Sequence, residues 1–357
     1  MKQYLFALRF SLLISYLSTT SSAQDLHFSQ FYDAPLLLNP ALCGSFKDGI
    51  QGELNYRNQW NSVAGNGGIT STTASAELHN IEGNWENGYL APGLTFYSDK
   101  SGPASIGTTE GAITIASGVY LGPTSCLSAG IQAGYAQYSV NQGSYQWGNQ
   151  FVNGNYDPGA PSGVASFKSA TSYADYSAGL SYSYGSIPEV RATEENQFKA
   201  NFGLAIFHVN EPTIAYLVQT SSGSKLYMRY VAHGTITYRV PDTEVSLIPA
   251  VVFNLQGPAS ELDLGFKMRY TLQQKTRFSQ FNTDCNLDIG AYYRLNDAVI
   301  ILAGLQYGNY SFGLSYDLNV SQFVNATDGK GAFELTLKYL NVDLLNSDDT
   351  LRHYVFN

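Results

Sequence analysis

Charge is scarce in this 357-residue chain. Asp, Glu, Lys and Arg make up 13% of it, about half the share of a typical soluble domain. Long apolar runs are missing too. Beyond Ala23 no stretch of apolar residues is long enough for a transmembrane helix. There is no Lys/Arg run, the formal net charge is −9 and the pI is about 5.0. That leaves no electrostatic footprint for nucleic acid. The three cysteines, Cys43, Cys126 and Cys285, are an odd number and form no disulfide framework. They read as small packing residues, and Cys43 sits too far past the leader to read as a lipid attachment site.

Catalytic signatures are absent as well. No G-x-S-x-G, H-E-x-x-H or Cys–His metal spacing occurs. The five histidines, His27, His79, His208, His233 and His353, read as structural hydrogen-bonding residues. Gly65-Asn66-Gly67-Gly68 lacks the strand-to-helix context of a phosphate cradle and reads as a loop. No catalytic, cofactor-binding or metal site is predicted, and no cofactor. A hydrolase would need a Ser–His arrangement on one rim, and none can be placed.

Aromatics and glycine are plentiful: 27 Tyr, 19 Phe and 34 Gly. The stretch Tyr310–Val320 shows how they are used. Tyr310, Phe312, Leu314, Tyr316, Leu318 and Val320 alternate with Ser311, Gly313, Ser315, Asp317 and Asn319. Successive side chains of a strand point to opposite faces, so one face is apolar and the other wet. About ten residues is the length that a tilted strand needs to cross a bilayer. The same alternation places Leu262, Leu264, Phe266, Met268, Tyr270 and Leu272 opposite Asp263, Gly265, Lys267, Arg269 and Thr271. About fourteen such segments fall between Ile50 and Leu340. Alternating strands average to neutral hydropathy, and the mean hydropathy is −0.14. The expected fold is all-β: an outer-membrane β-barrel of about fourteen antiparallel strands. Closure follows from bilayer chemistry, because an open edge leaves backbone groups with no water to bond. The competing reading is a soluble sheet protein rich in Tyr and Gly.

Four segments follow. Residues 1–23 read as a signal peptide, with Lys2 and Arg9 before an apolar core and Ser21 and Ala23 before a cut at Gln24. Residues 24–49 read as an N-terminal plug or periplasmic docking segment, 50–340 as the barrel, and 341–357 as a C-terminal tail. Gly308-Asn309 and Asn296-Asp297 read as two-residue hairpin turns, and Pro241-Asp242-Thr243 as another short turn. The long polar stretches Asn141–Thr171 and Asn210–Leu226 read as external loops. Tyr97, Tyr307, Tyr310 and Tyr339, near strand ends, are expected at the membrane–water boundary. Alternation turns Arg229, His233, Thr235, Thr237, Arg239, Lys267, Arg269, Asp263, Asp288, Arg294, Asp317 and Glu334 into the lumen. They are expected either to neutralise one another or to line a charged pore.

Specific words of the chain resemble a known family. The opening Gln24-Asp25-Leu26-His27-Phe28-Ser29-Gln30-Phe31-Tyr32, continued by Leu38-Asn39-Pro40-Ala41 and Gly44, is similar to the start of the PorP/SprF membrane proteins of type IX secretion. Tyr56-Arg57-Asn58-Gln59-Trp60, Phe96-Tyr97-Ser98-Asp99-Lys100, Gly203–His208, Met228–Gly234, Tyr310–Val320 and Gly331–Leu335 follow in the family's order. The resemblance implies a barrel like that of fatty-acid transporters, located in the outer membrane. It implies a non-enzymatic role in type IX secretion or gliding motility. The implied partners are outer-membrane lipid, periplasmic ring or peptidoglycan-associated components, and a secreted adhesin with a C-terminal sorting domain. The implied role is anchoring or partnering the assembly or the adhesin. The alternative is a transporter or porin for small or hydrophobic solutes.

Overall fold

A computed structural model describes residues 25–46, 49–61, 67–79, 87–122, 124–141, 145–163, 169–185, 198–214, 224–273, 283–322 and 324–341. The expected leader 1–23, the tail beyond Asn341 and residues 65 and 66 of the Gly65–Gly68 loop lie outside these residues.

Fourteen strands close into one antiparallel barrel. They are β1 (Gly49–Gln59), β2 (Ile69–His79), β3 (Gly88–Ser101), β4 (Ile106–Gly122), β5 (Ser125–Ser139), β6 (Ala170–Tyr184) and β7 (Phe198–Phe207). The second half comprises β8 (Arg229–Arg239), β9 (Val245–Gln256), β10 (Ala259–Gln273), β11 (Cys285–Arg294), β12 (Ala298–Tyr307), β13 (Tyr310–Asn319) and β14 (Lys330–Asn341). Each strand pairs with its neighbours in sequence. The last pairs with the first, from Ile50 opposite Asn341 to Gln59 opposite Ala332. The barrel sheet therefore has no free edge, as a bilayer requires.

The alternation read from the sequence is the one that closes the barrel. Phe312, Leu314, Tyr316 and Leu318 are exposed outward, while Ser315 and Asp317 between them are buried inward. Leu264, Phe266 and Tyr270 face out and Asp263 and Lys267 face in. β12 departs from the pattern. Ile300 and Leu302 are buried in the lumen while Ile301 is exposed outside, so this strand is apolar on both faces. The inner pair belongs to a cluster with Phe31, Phe207, Val231, Val252 and Tyr292.

Loop lengths differ between the two rims. The rim where β1 begins and β14 ends carries the tight turns at 123–124 and 308–309, with 185–197 and 274–284 as its longest connections. The opposite rim has a tight turn at 257–258 but carries the two longest connections of the barrel, 140–169 and 208–228. Short periplasmic turns and longer external loops are the rule for such barrels, so the first rim is the periplasmic one. Gly308, at φ +57°, forms the expected two-residue turn with Asn309. The other expected two-residue turn has three residues, Leu295 to Asp297. Asn296 supplies the positive φ of +61°, and Asp297 N–H closes the turn on Arg294 O at 3.0 Å.

Tyr307, Tyr310 and Tyr339 lie on the outer face at the periplasmic rim, with Tyr310 and Tyr339 rings 5.1 Å apart. Tyr97 does not join them. Leu94 and Phe96 fix the outward parity of β3, so the next residue must turn inward, and its phenol donates to Glu110 Oε2 at 3.1 Å.

Leu264, near the middle of β10, and Leu272, near its end, share the lipid face. Leu264→Arg should cost about 2–4 kcal/mol and Leu272→Arg only about 0–1, because the penalty falls toward the interface. Equilibrium unfolding in bilayers checks this. Equal costs would mean that this face does not see lipid.

Candidate functional site: the lumen and its N-terminal segment

Residues 25–46 run through the lumen. Asp25 lies at the external half, beside His208 just after β7, Arg229 at the start of β8 and Gln256 at the end of β9. Gly44 lies at the periplasmic half, where its N–H donates to Glu77 Oε2 at 2.9 Å and its carbonyl accepts from His79.

Local chemistry shapes the segment between these ends. Pro35 starts a one-turn helix, Pro35–Leu38, where its fixed φ is pre-organised and its missing N–H costs nothing. The Asn39 side chain then accepts from Ala41 N–H at 2.9 Å and caps the 3-10 turn Pro40–Leu42. Its amide nitrogen donates to Leu180 O and to His233 Nε2, each at 3.0 Å. This approach needs Gly203 opposite, since a Cβ there would lie 2.5 Å from the Asn39 amide nitrogen. Leu36 and Cys43 pack with Tyr89, Ala91, Ala116 and Cys126 on the barrel's inner wall. All three cysteines are free, and Cys43 and Cys126 are buried.

Charged groups fix the segment's middle. Arg57 of β1 and Glu334 of β14 face each other across the closing seam. Arg57 donates to Asp317 at 2.9 Å, to Glu334 at 3.3 Å and to Ser29 Oγ. Ser29 Oγ donates in turn to Asp317 at 2.7 Å. The backbone N–H groups of Ser29 and Gln30 occupy both oxygens of Glu334, at 2.8 and 2.9 Å. Arg294 of β11 extends the cluster to Asp317 at 3.1 Å and Asp263 at 3.3 Å. Buried charges are tolerable only when paired and hydrogen-bonded, and the segment supplies donors that no strand provides. His27 lies beside Glu261, at 3.6 Å.

A second tie holds the external end. His208 sits between Asp175, at 2.9 Å, and Asp25. Burial works against its charge, but the two carboxylates outweigh it and raise its pKa to about 9. Burial likewise opposes charge on Asp25, yet His208 and Arg229 hold that carboxyl well below its ordinary value. Arg229 also donates to Leu37 O at 3.0 Å and stacks over the Phe207 ring at 4.2 Å.

The segment fills the lumen unevenly. Around Asp25, His27 and Arg229 the cavities measure about 30, 30 and 10 Å³, room for about one water each at most. Below Tyr32 and Asp33 a chamber of about 720 Å³ extends to the turn Gly308-Asn309 at the periplasmic rim. Lys267, Arg269, Asp288 and Lys338 line it. Lys267 and Arg269 both pair with Asp288, at 3.2 and 2.8 Å, and Lys338 pairs with Glu53 at 2.8 Å.

The residues that alternation assigns to the lumen all face it. The mutual pairing expected of them holds for Arg294–Asp317, Arg294–Asp263 and Arg269–Asp288, whereas Glu334 pairs with Arg57, which is not among them. Alternation alone misses what the segment adds: the Ser29 and Gln30 N–H groups, Asn39 and Asp25. Among the described residues no group of three His, Cys, Asp or Glu side chains is arranged to hold a metal ion.

A closed barrel with an apolar outer belt, a charged lumen and long loops on one rim defines an integral outer-membrane β-barrel protein. The model of the family described as "Type IX secretion system membrane protein PorP/SprF" matches residues 20–339, and the chain belongs to that family. It is thus an outer-membrane protein of the type IX secretion context. No curated protein matches the chain. Among solved structures, the Ralstonia pickettii toluene transporter TbuX is 12% identical, covering 90% of this chain and 95% of its own, with a TM-score of 0.46. A Pseudomonas aeruginosa FadL homologue is 11% identical, covering 86% and 94%, with a TM-score of 0.48. The TodX monoaromatic hydrocarbon channel is 9% identical, covering 86% and 92%, with a TM-score of 0.40.

Two outcomes test the site. Arg57→Met leaves Asp317 and Glu334 short of a partner and should cost about 3–5 kcal/mol, read by urea unfolding in detergent or bilayers; a loss below about 1 would dismiss the seam lock. The external tie should depend on pH in a stated direction. A raised His208 pKa stabilises fully below about 6.5 and is lost as pH rises through about 9. A lowered Asp25 pKa stabilises above 3.8 and is lost as pH falls below it. Amide exchange at residues 25–27 should therefore be slowest near pH 4–6.5, after correction for intrinsic rates, and should accelerate toward pH 10.

Proposed function

We propose that this barrel serves as an outer-membrane anchor and docking member of a type IX secretion or gliding assembly, with its interaction face on the periplasmic rim. One observation carries the reading. The external half of the lumen is filled by residues 25–46, with room for about a water at a time, while the roomy chamber opens the other way. A solute pore needs a continuous path, and the buried ties at Glu334, Asp317 and Asp25 close it. Fold alone does not decide function among barrels of this kind.

In this reading residues 24–49 act as a plug that also presents Phe46 and the chain's exit at the periplasmic rim. Periplasmic ring or peptidoglycan-associated components are the partners on that side. A secreted adhesin with a C-terminal sorting domain is the client. The leader 1–23 directs export, and the last strand ends at the chamber's rim with Asn341, where the tail 341–357 begins.

Planar-bilayer recordings should show no steady open channel, and affinity purification from native membranes should recover periplasmic secretion components. A stable conductance without such partners would favour the transporter alternative and end this proposal.

A further inference from the structure

The wall of the periplasmic chamber has an order that strand register imposes. Arg269, Asp288, Gly304, Gly313 and Thr336 form one row across β10 to β14. The next row toward the rim holds Asn286, Gln306, Ser311 and Lys338. Alternation turns both rows into the lumen. Charge therefore stands at the two ends of this wall, and glycine and short polar side chains lie between. Gly304 sits directly opposite Asp288 and adds no side chain, which leaves the Arg269–Asp288 pair open to the chamber. The Arg269 side chain is 33% exposed there.

Donors outnumber acceptors on this wall. A guanidinium carries five N–H groups and an ammonium three. Asp288 accepts from Arg269 at 2.8 and 2.9 Å and pairs with Lys267 at 3.2 Å, so both its oxygens are taken while the two cations keep N–H groups to spare. Glu53 is likewise occupied by Gln51, Ser75 and Lys338. Lys199 of β7 also lines the chamber, is exposed, and pairs with no carboxylate among the described residues. Asp33 and Asp284 line it as well, so the walls are close to neutral in sum. A ligand is selected here by directed N–H groups rather than by a net field, and it must bring acceptors.

Shape narrows the class further. The lining follows β12 from Leu302 through Gln306 to Gly308 at the rim. At about 3.3 Å per residue this is roughly 20 Å of wall. Gln30 and Tyr32 bound the upper end, and the volume of about 720 Å³ lies within the range of ligand sites. An extended peptide has the same rise as the wall, so about six residues reach from rim to roof.

We propose that the chamber is a socket for the acidic end of a periplasmic partner's chain. An extended segment enters past the Gly308-Asn309 turn, and its carboxylates accept from Arg269 and Lys267 on one side and from Lys338 and Lys199 on the others. Such charge-assisted bonds are about twice as strong as neutral ones. The socket rests on the docking role proposed above and names the chemistry of the docked partner.

The probe is a mixed library of N-acetylated hexapeptides with free carboxyl ends, applied to the full-length protein in nanodiscs, with retained peptides identified by mass spectrometry. Members rich in Asp and Glu should be retained at least about tenfold over their Asn and Gln counterparts. Ser311→Trp fills the mouth, leaves every ion pair in place, and should abolish that retention. Arg269→Gln should cut it severalfold. No preference for acidic peptides overturns the proposal, as does a preference that survives both substitutions. Should either variant fail to assemble, the other decides. Succinate that competes as well as the best peptide also overturns it, because a small acid would then be the ligand. Partner recovery from native membranes is the separate readout. Partners held by the unaltered protein and lost from Ser311→Trp support the socket; partners held equally by both overturn it and leave the anchoring role standing. Partners recovered by neither chain overturn the anchoring role, and the library result still decides the chemistry of the chamber.

Discussion

The barrel's interior depends on one constraint: a carboxylate out of water must have its hydrogen bonds. Glu334 is fully buried at the seam between first and last strands. Arg57 reaches only one of its oxygens, at 3.3 Å. The remaining demand is met by two main-chain N–H groups from Ser29 and Gln30. Closing the sheet and seating the segment are therefore one event at this point. Removing either partner leaves a charge in a low-dielectric interior, where the loss exceeds the value of an ordinary hydrogen bond.

The same logic separates the two halves of the lumen. In the external half, charges of β1, β11, β13 and β14 converge on the segment, and His208 holds its first described residue. In the periplasmic half the cations Lys267, Arg269 and Lys338 find their carboxylates on neighbouring strands. Those pairs need no help from the segment's backbone, and space remains beside them. Tyr32 covers Lys267 at 4.4 Å and marks the boundary between the packed and the open region. The proposed docking at the periplasmic rim rests on this asymmetry, packed above and hollow below.

Much of this is legible in the chain because a bilayer imposes a strict period. Parity alone places Leu314 in lipid and Asp317 in the lumen, and closure follows from the absence of edges. Parity also corrects the one misplaced aromatic: Tyr97 follows Phe96, and neighbours cannot share a face. β12 is less legible. Val299, Ile300, Ile301 and Leu302 are apolar without alternation, since one face meets lipid and the other meets the segment's Phe31 cluster. The lumen site is the least legible part. Period 2 gives the direction of Arg57, Glu334 and Asp317 but not their distances, because register and the path of residues 25–46 decide which charges meet.

The words that carry the family resemblance acquire a common physical reason from these contacts. Ser29 and Gln30 of the opening word bind Glu334 of Gly331–Leu335, Arg57 of Tyr56–Trp60 and Asp317 of Tyr310–Val320. Asn39 of the same N-terminal stretch binds His233 of Met228–Gly234 and lies against Gly203 of Gly203–His208. Asp25 meets His208 and Arg229. Every distant word but Phe96–Lys100 thus contributes a residue that meets the N-terminal segment inside the barrel. Lipid-facing positions accept any apolar residue of suitable size, whereas these positions must match a particular donor or a particular gap. A sequence that keeps the lumen ties keeps the segment threaded, and with it the division into a sealed external half and an open periplasmic chamber.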